Sequence, residues 1–443
     1  MLDFKNYLRY AQDHGAAEAE IFYATGREES VEVRGQKIEK VESAGDRGLA
    51  VRVIAKKRSG FAYTSSLEAD DIFKAIGMAI TNAGYAEADR QLALPPRRTG
   101  QARPLRNYSA TAAKLGLKQL AVLAKQTEAA AYAYDRRIFA TESSTAFAAV
   151  SAFRLVNTRG VDVRQRKTLC GAAIEIAAQA DSKMEAAYAY KYSVAPQKIN
   201  PRLIGRQAAE RAIRRLAAVP AQTGRYDIVL IPSVARDFLS VLSQLFSAEN
   251  ILRRKSLLCG KLGRRVASPQ VTLLDNPFLP SLGGSYLYDG EGTPARPRVL
   301  LRRGVLQDFY YDHISALKSG QKSGGNALRG SIFSEPGIGP SNLYFQPGVL
   351  TQRQLLRGIA RGALIEQIMG LHTADPISGE FSFGASGQLI QDGRLAAPIK
   401  DMAIAGNLQD LLRSIKACGK DLEFSGHYGS PSVLIENIMV AGK

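Results

Sequence analysis

Ser386 lies in the run Gly379-Glu380-Phe381-Ser382-Phe383-Gly384-Ala385-Ser386-Gly387, a serine among small residues beside an apolar stretch. A nucleophilic hydroxyl in such a setting needs a G-x-S-x-G turn from strand to helix, and a base. The order Gly384-Ala385-Ser386-Gly387 is one residue short of that motif, and Gln388-Leu389-Ile390-Gln391 reads as a strand. His372 is the nearest histidine in sequence, and nothing fixes it beside the serine. Serine hydrolysis is not expected; the stretch reads as a glycine-permitted bend leading into a hairpin.

Metal chemistry has few ligands to draw on. The chain has four histidines, His14, His313, His372 and His427, and no two stand at i, i+4. A zincin helix needs that spacing to put two imidazoles on one face. A site gathered in space from His313, His372, His427 and Cys418 stays open. The Gly- and Lys-rich run 318–330 does not meet GxxxxGK[ST] and reads as a disordered or ligand-closing loop.

Charge is strongly basic, 59 Lys and Arg against 41 Asp and Glu in 443 residues, a formal +18. The densest patches are Arg211, Arg214 and Arg215, then Arg253, Arg254 and Lys255, then Arg264 and Arg265. No nucleic-acid motif accompanies them, so a solvated basic surface is expected rather than a nucleic-acid partner. Cys170, Cys259 and Cys418 are isolated and odd in number, which fits a reducing compartment and points to the cytoplasm. No run of 18 apolar residues predicts a membrane span, and the first residues do not read as a signal peptide.

These residues need a scaffold. Residues 2–14 predict a short amphipathic helix stopped by Gly15. Strand-like alternation follows at 19–25, 30–35, 37–43, 48–55 and 60–65, with a tight turn at Gly35-Gln36, and 67–83 returns to helical spacing. Proline-rich, charged residues 85–110 read as a linker or surface excursion. A helix at 112–133, four strand-like stretches over 137–193 and a helix at 200–219 come next, the last with Asn200 as cap and Pro201 in its first turn. RGLAVRV (47–53) echoes RGVDVRQ (159–165), and SGFAYTS echoes AAYAYKYS (186–193), hinting at duplication.

Past a boundary near 218–227 come a strand at 226–233 and a helix at 235–250 with Phe238, Leu242, Leu245 and Phe246 on one face. Hairpins turn at Arg303-Gly304 and Asp392-Gly393, with a helix over 350–369 between them. Few parallel crossovers are in view. The expected class is α+β, two domains (1–219 and 220–443) of largely antiparallel sheets with flanking helices.

The runs DGEGTPARPRVLLRRGVLQDFYYD (289–312), KSGGNA (322–327), SNLYFQPG (341–348), SGEFSFGASG (378–387), IKDMAIAGNLQDLL (399–412) and ACGKDLEF (417–424) resemble the TldD/PmbA family. Its members are peptidase-related proteins also described as modulators of DNA gyrase. Residues 17–53 and MEAAYAYKYS (184–193) agree with its opening domain. The TldD kind carries an HExxxH helix whose histidines bind a metal and whose glutamate is the general base, with a downstream cysteine completing the site. The PmbA kind, also called TldE, lacks the motif and pairs with a TldD-type subunit.

At the matching place this chain has Val241-Leu242-Ser243-Gln244-Leu245-Phe246, with no firm ligand among them. Asp237 and Glu249 are the nearest carboxylates, and the tail 423–442 has His427 but no cysteine. The resemblance thus implies a metal-free PmbA/TldE-type subunit, with no cofactor of its own and zinc in a TldD-type partner. It leaves a homodimer open where that partner is absent, and implies unfolded peptides threaded as extended strands into a cleft. The cleft residues it suggests are Asp289, Glu291 and Gly292 of the D-x-E-G run, Asn326, and Gly379, Phe381, Gly384, Ser386 and Gly387. The alternatives are a self-sufficient hydrolase with a non-canonical metal site and a gyrase- or nucleic-acid-associated modulator.

Overall fold

The structure is a computed structural model that describes residues 2–100 and 105–442; part of the expected 85–110 linker, 101–104, lies outside the described residues. Helix α1 (Phe4–Asp13) buries Phe4, Tyr7 and Ala11, one stripe of an amphipathic helix. Strands β1 (Glu18–Arg34), β2 (Lys37–Ala55) and β3 (Arg58–Thr64) form a meander followed by α2 (Ala69–Tyr85). Gly35 and Gln36 have φ of 57° and 62°, the left-handed pair that a two-residue hairpin wants. Their backbone N–H groups donate to the buried Glu128 carboxylate at 2.8 and 2.6 Å, which pins the hairpin tip.

Helices α3 (Ala110–Ala113) and α4 (Leu117–Tyr132), the latter the source of Glu128, lead to a second meander. It comprises β4 (Ile138–Asn157), β5 (Asp162–Ala180) and β6 (Lys183–Ser193), followed by α5 (Pro201–Leu216). The Asn200 side chain accepts from the Leu203 N–H at 3.1 Å, the cap read from sequence. The two meanders join through β1 and β4 into one antiparallel sheet, β3-β2-β1-β4-β5-β6. Three strands and a helix thus occur twice, although the echoes are out of step: RGLAVRV lies in the second half of β2, and RGVDVRQ spans the turn before β5 and its start.

Strand lengths differ from expectation. Segments 19–25 and 30–35 are one strand, and 137–193 holds three long strands rather than four. The apolar pattern lapses where the strands run past the helices that cover them, as along the exposed start of β2. Backbone pairing continues there because neighbours on both sides of β1 supply partners.

The rest of the chain opens with β7 (Val219–Pro220), β8 (Gly224–Leu230), α6 (Pro232–Ser243), α7 (Ala248–Leu252) and β9 (Leu273–Asp275). Hairpin strands β10 (Arg298–Arg302) and β11 (Val305–Leu306) turn at Arg303-Gly304. Next come α8 (His313–Lys318), β12 (Ala327–Leu328), β13 (Gly337–Ile338), β14 (Leu343–Phe345) and α9 (Gln352–Leu356). Strands β15 (Arg361–Met369), β16 (Glu380–Gln391) and β17 (Arg394–Asn407) precede α10 (Leu408–Arg413). The chain closes with β18 (Ile415–Cys418), β19 (Glu423–Ser425), β20 (Tyr428–Ser430) and β21 (Val433–Ala441).

A seven-stranded mixed sheet, β18-β21-β8-β15-β16-β17-β7, and a six-stranded one, β11-β10-β9-β14-β20-β19, share one core with α6 between them. Phe238 of α6 meets Phe381 and Phe383 of β16 edge-on, with ring centres 5.7 and 5.1 Å apart. The fold is α+β, as the sequence predicts. No helix among the described residues is long and apolar enough to cross a membrane.

The expected helix over 350–369 is corrected. It ends at Leu356, and 361–369 run as β15 between β8 and β16. Burial on both faces makes Gly362-Ala363-Leu364-Ile365 a continuous apolar run, which periodicity cannot tell from a helix. Gly362 lets the strand approach β8 closely: a Cβ there would sit 2.3 Å from the Asp227 carbonyl oxygen.

Candidate functional site

A cleft of about 360 Å³ opens between β6 and α5 on one side and the start of α6 on the other. Strand alternation puts Tyr188, Tyr190 and Tyr192 on one face of β6, while Ala187 and Ala189 pack into the helix-covered core. The tyrosine rings stack along the strand at 6.2 and 5.0 Å. Phe147 of β4 extends the row, meeting Tyr192 at 5.4 Å across Gly171. A Cβ on Gly171 would lie 2.4 Å from the Tyr192 ring and 2.9 Å from the Phe147 ring, so only glycine lets them close over it.

β6 is the last strand of its sheet, so one side of its backbone has no neighbouring strand. From α5, Arg211 and Arg215 stand one turn apart and reach this strand. Arg211 Nη1 donates to the Tyr188 carbonyl at 3.0 Å, and Arg215 Nη1 to the Ala186 carbonyl at 2.5 Å. Burial pushes the Arg215 guanidinium below its ordinary value, against the pull of Glu185 and Glu366. Across the cleft, burial pushes the Asp237 carboxyl of α6 up to about 6, opposed by Arg236. The other acids of the lining are engaged: Glu366 holds Arg214, and Glu423 lies 3.6 Å from Arg236.

None of the suggested cleft residues lines this cleft. Asp289, Glu291 and Gly292 lie in a buried junction between the two halves of the chain. The Asp289 carboxylate accepts the N–H groups of Glu291, Thr293 and Ala327 at 2.9, 2.9 and 3.0 Å, closing a turn. Burial, then the charge of Glu291, pushes Asp289 well up from the usual carboxylate range. Glu291 pairs with Arg52 of β2 at 3.0 Å and accepts the His313 N–H at 2.9 Å. Gly292 has φ of 76° and faces Val161, whose Cγ1 would be 2.4 Å from a Cβ. Asn326 Nδ2 donates to the Gly339 carbonyl at 3.2 Å, in the same buried region as Asp275.

The run 379–387 is corrected from a bend to a strand. Only Gly379, with φ of 79°, belongs to a turn, and Glu380–Gln391 is continuous as β16. Phe381 is in the core; Gly384 pairs with Met369 and Ala403; Gly387 pairs with Ile365 at a bulge. Ser386 faces Gln367 across β15, and His372 is exposed on a separate turn. Asp392 and Gly393 form the predicted left-handed hairpin turn.

The residues present do not fit a catalytic zinc ion. Val241 to Phe246 straddle the end of α6 and a single 3₁₀ turn, with Leu242, Ser243, Leu245 and Phe246 buried. The Ser243 hydroxyl is spent on the Ser240 carbonyl at 2.6 Å, with the Tyr428 hydroxyl 3.2 Å away. Among the described residues no three His, Cys, Asp or Glu side chains gather as a metal-binding group. His313, His372, His427 and Cys418 are therefore not brought together. Burial pushes the Cys418 thiol up to about 12, the wrong direction for a thiolate ligand.

Sequence reasoning took Arg211, Arg214 and Arg215 only as a solvated basic patch and the tyrosines of 186–193 only as an echo, and gave neither a place in a cleft. Both leave a signal: tyrosines alternating in a strand, and arginines four apart in a helix with no acid of their own.

Three family models match in order: PmbA/TldA metallopeptidase domain 1 at 19–83, the central domain at 111–216 and the C-terminal domain at 223–442. A metalloprotease of Methanothermobacter thermautotrophicus is 36% identical over 54% of this chain, which spans only 55% of that relative's length. A metalloprotease PmbA homolog of Haemophilus influenzae is 27% identical over 93% of this chain and 90% of its own. The crystal structure of a Thermotoga maritima protein described as a modulator of a DNA gyrase superposes with a TM-score of 0.91 at 29% identity, covering 99% of both chains.

Proposed function

The chain belongs to the PmbA/TldA metallopeptidase family, and we propose that within it this is a PmbA/TldE-type subunit that carries no catalytic metal and completes the peptide cleft of a TldD-type partner. One observation carries the reading. Where an HExxxH motif would stand, the end of α6 and the 3₁₀ turn after it pack Leu242, Leu245 and Phe246 into the core, while the cleft beside the first turns of α6 stays open.

The substrate is an unfolded peptide in extended form. A peptide would lie along the outer side of β6, where Arg215 and Arg211 already hold the Ala186 and Tyr188 carbonyls, and the tyrosine faces offer contact area without demanding one partner side chain. Zinc in the partner would polarise the scissile carbonyl and activate water. This chain binds and aligns the peptide and supplies no proton-transfer group to that step. A homodimer stands in where the partner is absent. Three free thiols, two of them buried, support the cytoplasm as its compartment.

The test is reconstitution with an unstructured, dye-labelled peptide. This chain alone is expected to cleave nothing, and mixing it with a TldD-type subunit is expected to raise cleavage above that of the TldD-type subunit alone. Turnover by this chain alone at the rate of the mixture would overturn the reading.

A further inference from the structure

We propose that Arg211 and Arg215 form a carboxylate-binding subsite in the cleft, so that acidic or C-terminal peptide segments are the preferred occupants of the β6 edge. The proposal rests on the peptide-binding reading above and narrows it to a substrate class.

The two guanidiniums project from one ridge of α5, four residues apart, toward the same strand. Each spends one N–H on a backbone carbonyl, Tyr188 or Ala186, and that bond fixes its plane. A guanidinium has five N–H donors, so most of each fork remains to be used. Their neighbour Arg214 shows what a structural arginine does here: it pairs with Glu210 at 2.7 Å and also with Glu366. Among the described residues neither Arg211 nor Arg215 has a carboxylate within ion-pair distance, although both are half-buried.

Glu185 and Glu366 act on Arg215 only from beyond contact distance, and a half-buried guanidinium with no carboxylate in direct contact favours an incoming anion, its planar fork a carboxylate. Lys191 and Lys198 stand exposed at the rim and add to the positive wall. The tyrosine row beside them gives the ligand's hydrocarbon an apolar backing. Asp237 of α6 lines the same cleft, and its carboxylate would repel an anion placed beside it.

The carboxylate can belong to a peptide C-terminus or to an Asp or Glu side chain. The experiment uses fluorescence anisotropy with the full chain, alone and with a TldD-type partner. Four versions of one unstructured peptide are compared: free or amidated at the C-terminus, and with internal Glu or Gln. Removing the relevant carboxylate should weaken binding roughly tenfold or more, and added salt should erase the difference. Loss on amidation assigns the C-terminus; loss on Glu→Gln assigns the side chain.

Equal binding of all four peptides would overturn the carboxylate subsite and leave the peptide-binding reading intact. Binding of none would overturn both. Because the ligand is varied, the test does not depend on a variant that folds. An Arg211→Gln, Arg215→Gln double variant with a normal melting curve should bind all four peptides alike. A double variant that still discriminates would also overturn the proposal.

Discussion

Arg52 and Glu291 stand 239 positions apart in the chain and form a fully buried ion pair of 3.0 Å. Arg52 also holds Glu20 of β1 at 3.0 Å, and Glu20 holds Arg329 at 2.6 Å, whose guanidinium lies 4.5 Å from the Phe22 ring centre. Two carboxylates and two guanidiniums thus clasp the six-stranded sheet to the C-terminal half. Neutralised as a set, they avoid the cost of an unpaired buried charge.

Glu291→Gln leaves Arg52 and Arg329 with one carboxylate between them. We expect a loss of about 3 kcal/mol in unfolding free energy, the usual scale for stripping one partner from a buried pair. Denaturant melts check it. A double-mutant cycle with Arg52→Met should show strong coupling rather than additivity.

Asp237 has a pH signature. Its folded-state value, raised to about 6, means the folded protein holds that proton more tightly than the unfolded chain does. Wild-type stability attributable to it is therefore full below about pH 4 and falls as pH rises toward 6. Asp237→Asn removes this penalty. The variant should gain on wild type by about 1–2 kcal/mol at pH 7.5, after discount for partial solvent screening, and by little at pH 4. Asp275, also raised to about 6, acts in the same window in both proteins and cancels in the difference.

Gly171→Ala should cost about 1–3 kcal/mol, because the Lys191 carbonyl oxygen would be 2.8 Å from the new Cβ and cannot swing aside as a ring can. Thermal unfolding measures the loss. Tyrosine fluorescence should change with it, since the Phe147–Tyr192 contact must open.

Grafting the metal motif should fail. His at 241, Glu at 242 and His at 246 would put polar groups where Leu242 and Phe246 are about 1% exposed or less. Leu242→Glu alone should cost about 4 kcal/mol or more, and the triple variant should unfold without gaining zinc. Circular dichroism with and without zinc reads both outcomes.

Local chemistry made much of this fold legible. The Asn200 cap and the turns at Gly35-Gln36, Arg303-Gly304 and Asp392-Gly393 depend on a few adjacent residues and are visible in them. β15 was not, because a strand buried on both faces carries no alternation. Asp289 and Glu291 were legible as a motif but not in role: their environment is set by Arg52 and by the Ala327 N–H, distant in sequence. The cleft was hidden for the same reason. Its walls come from β6, α5 and α6, and only the fold shows that Arg211 and Arg215 line the cleft without a carboxylate in contact while Arg214 is paired with Glu366.

The central claim, that this chain supplies no catalytic metal site, is tested most directly by zinc titration of the chelator-stripped chain in a calorimeter. The account predicts no saturable one-to-one binding. Tight stoichiometric binding, lost on His427→Ala or Cys418→Ala, would contradict it and return catalysis to this chain.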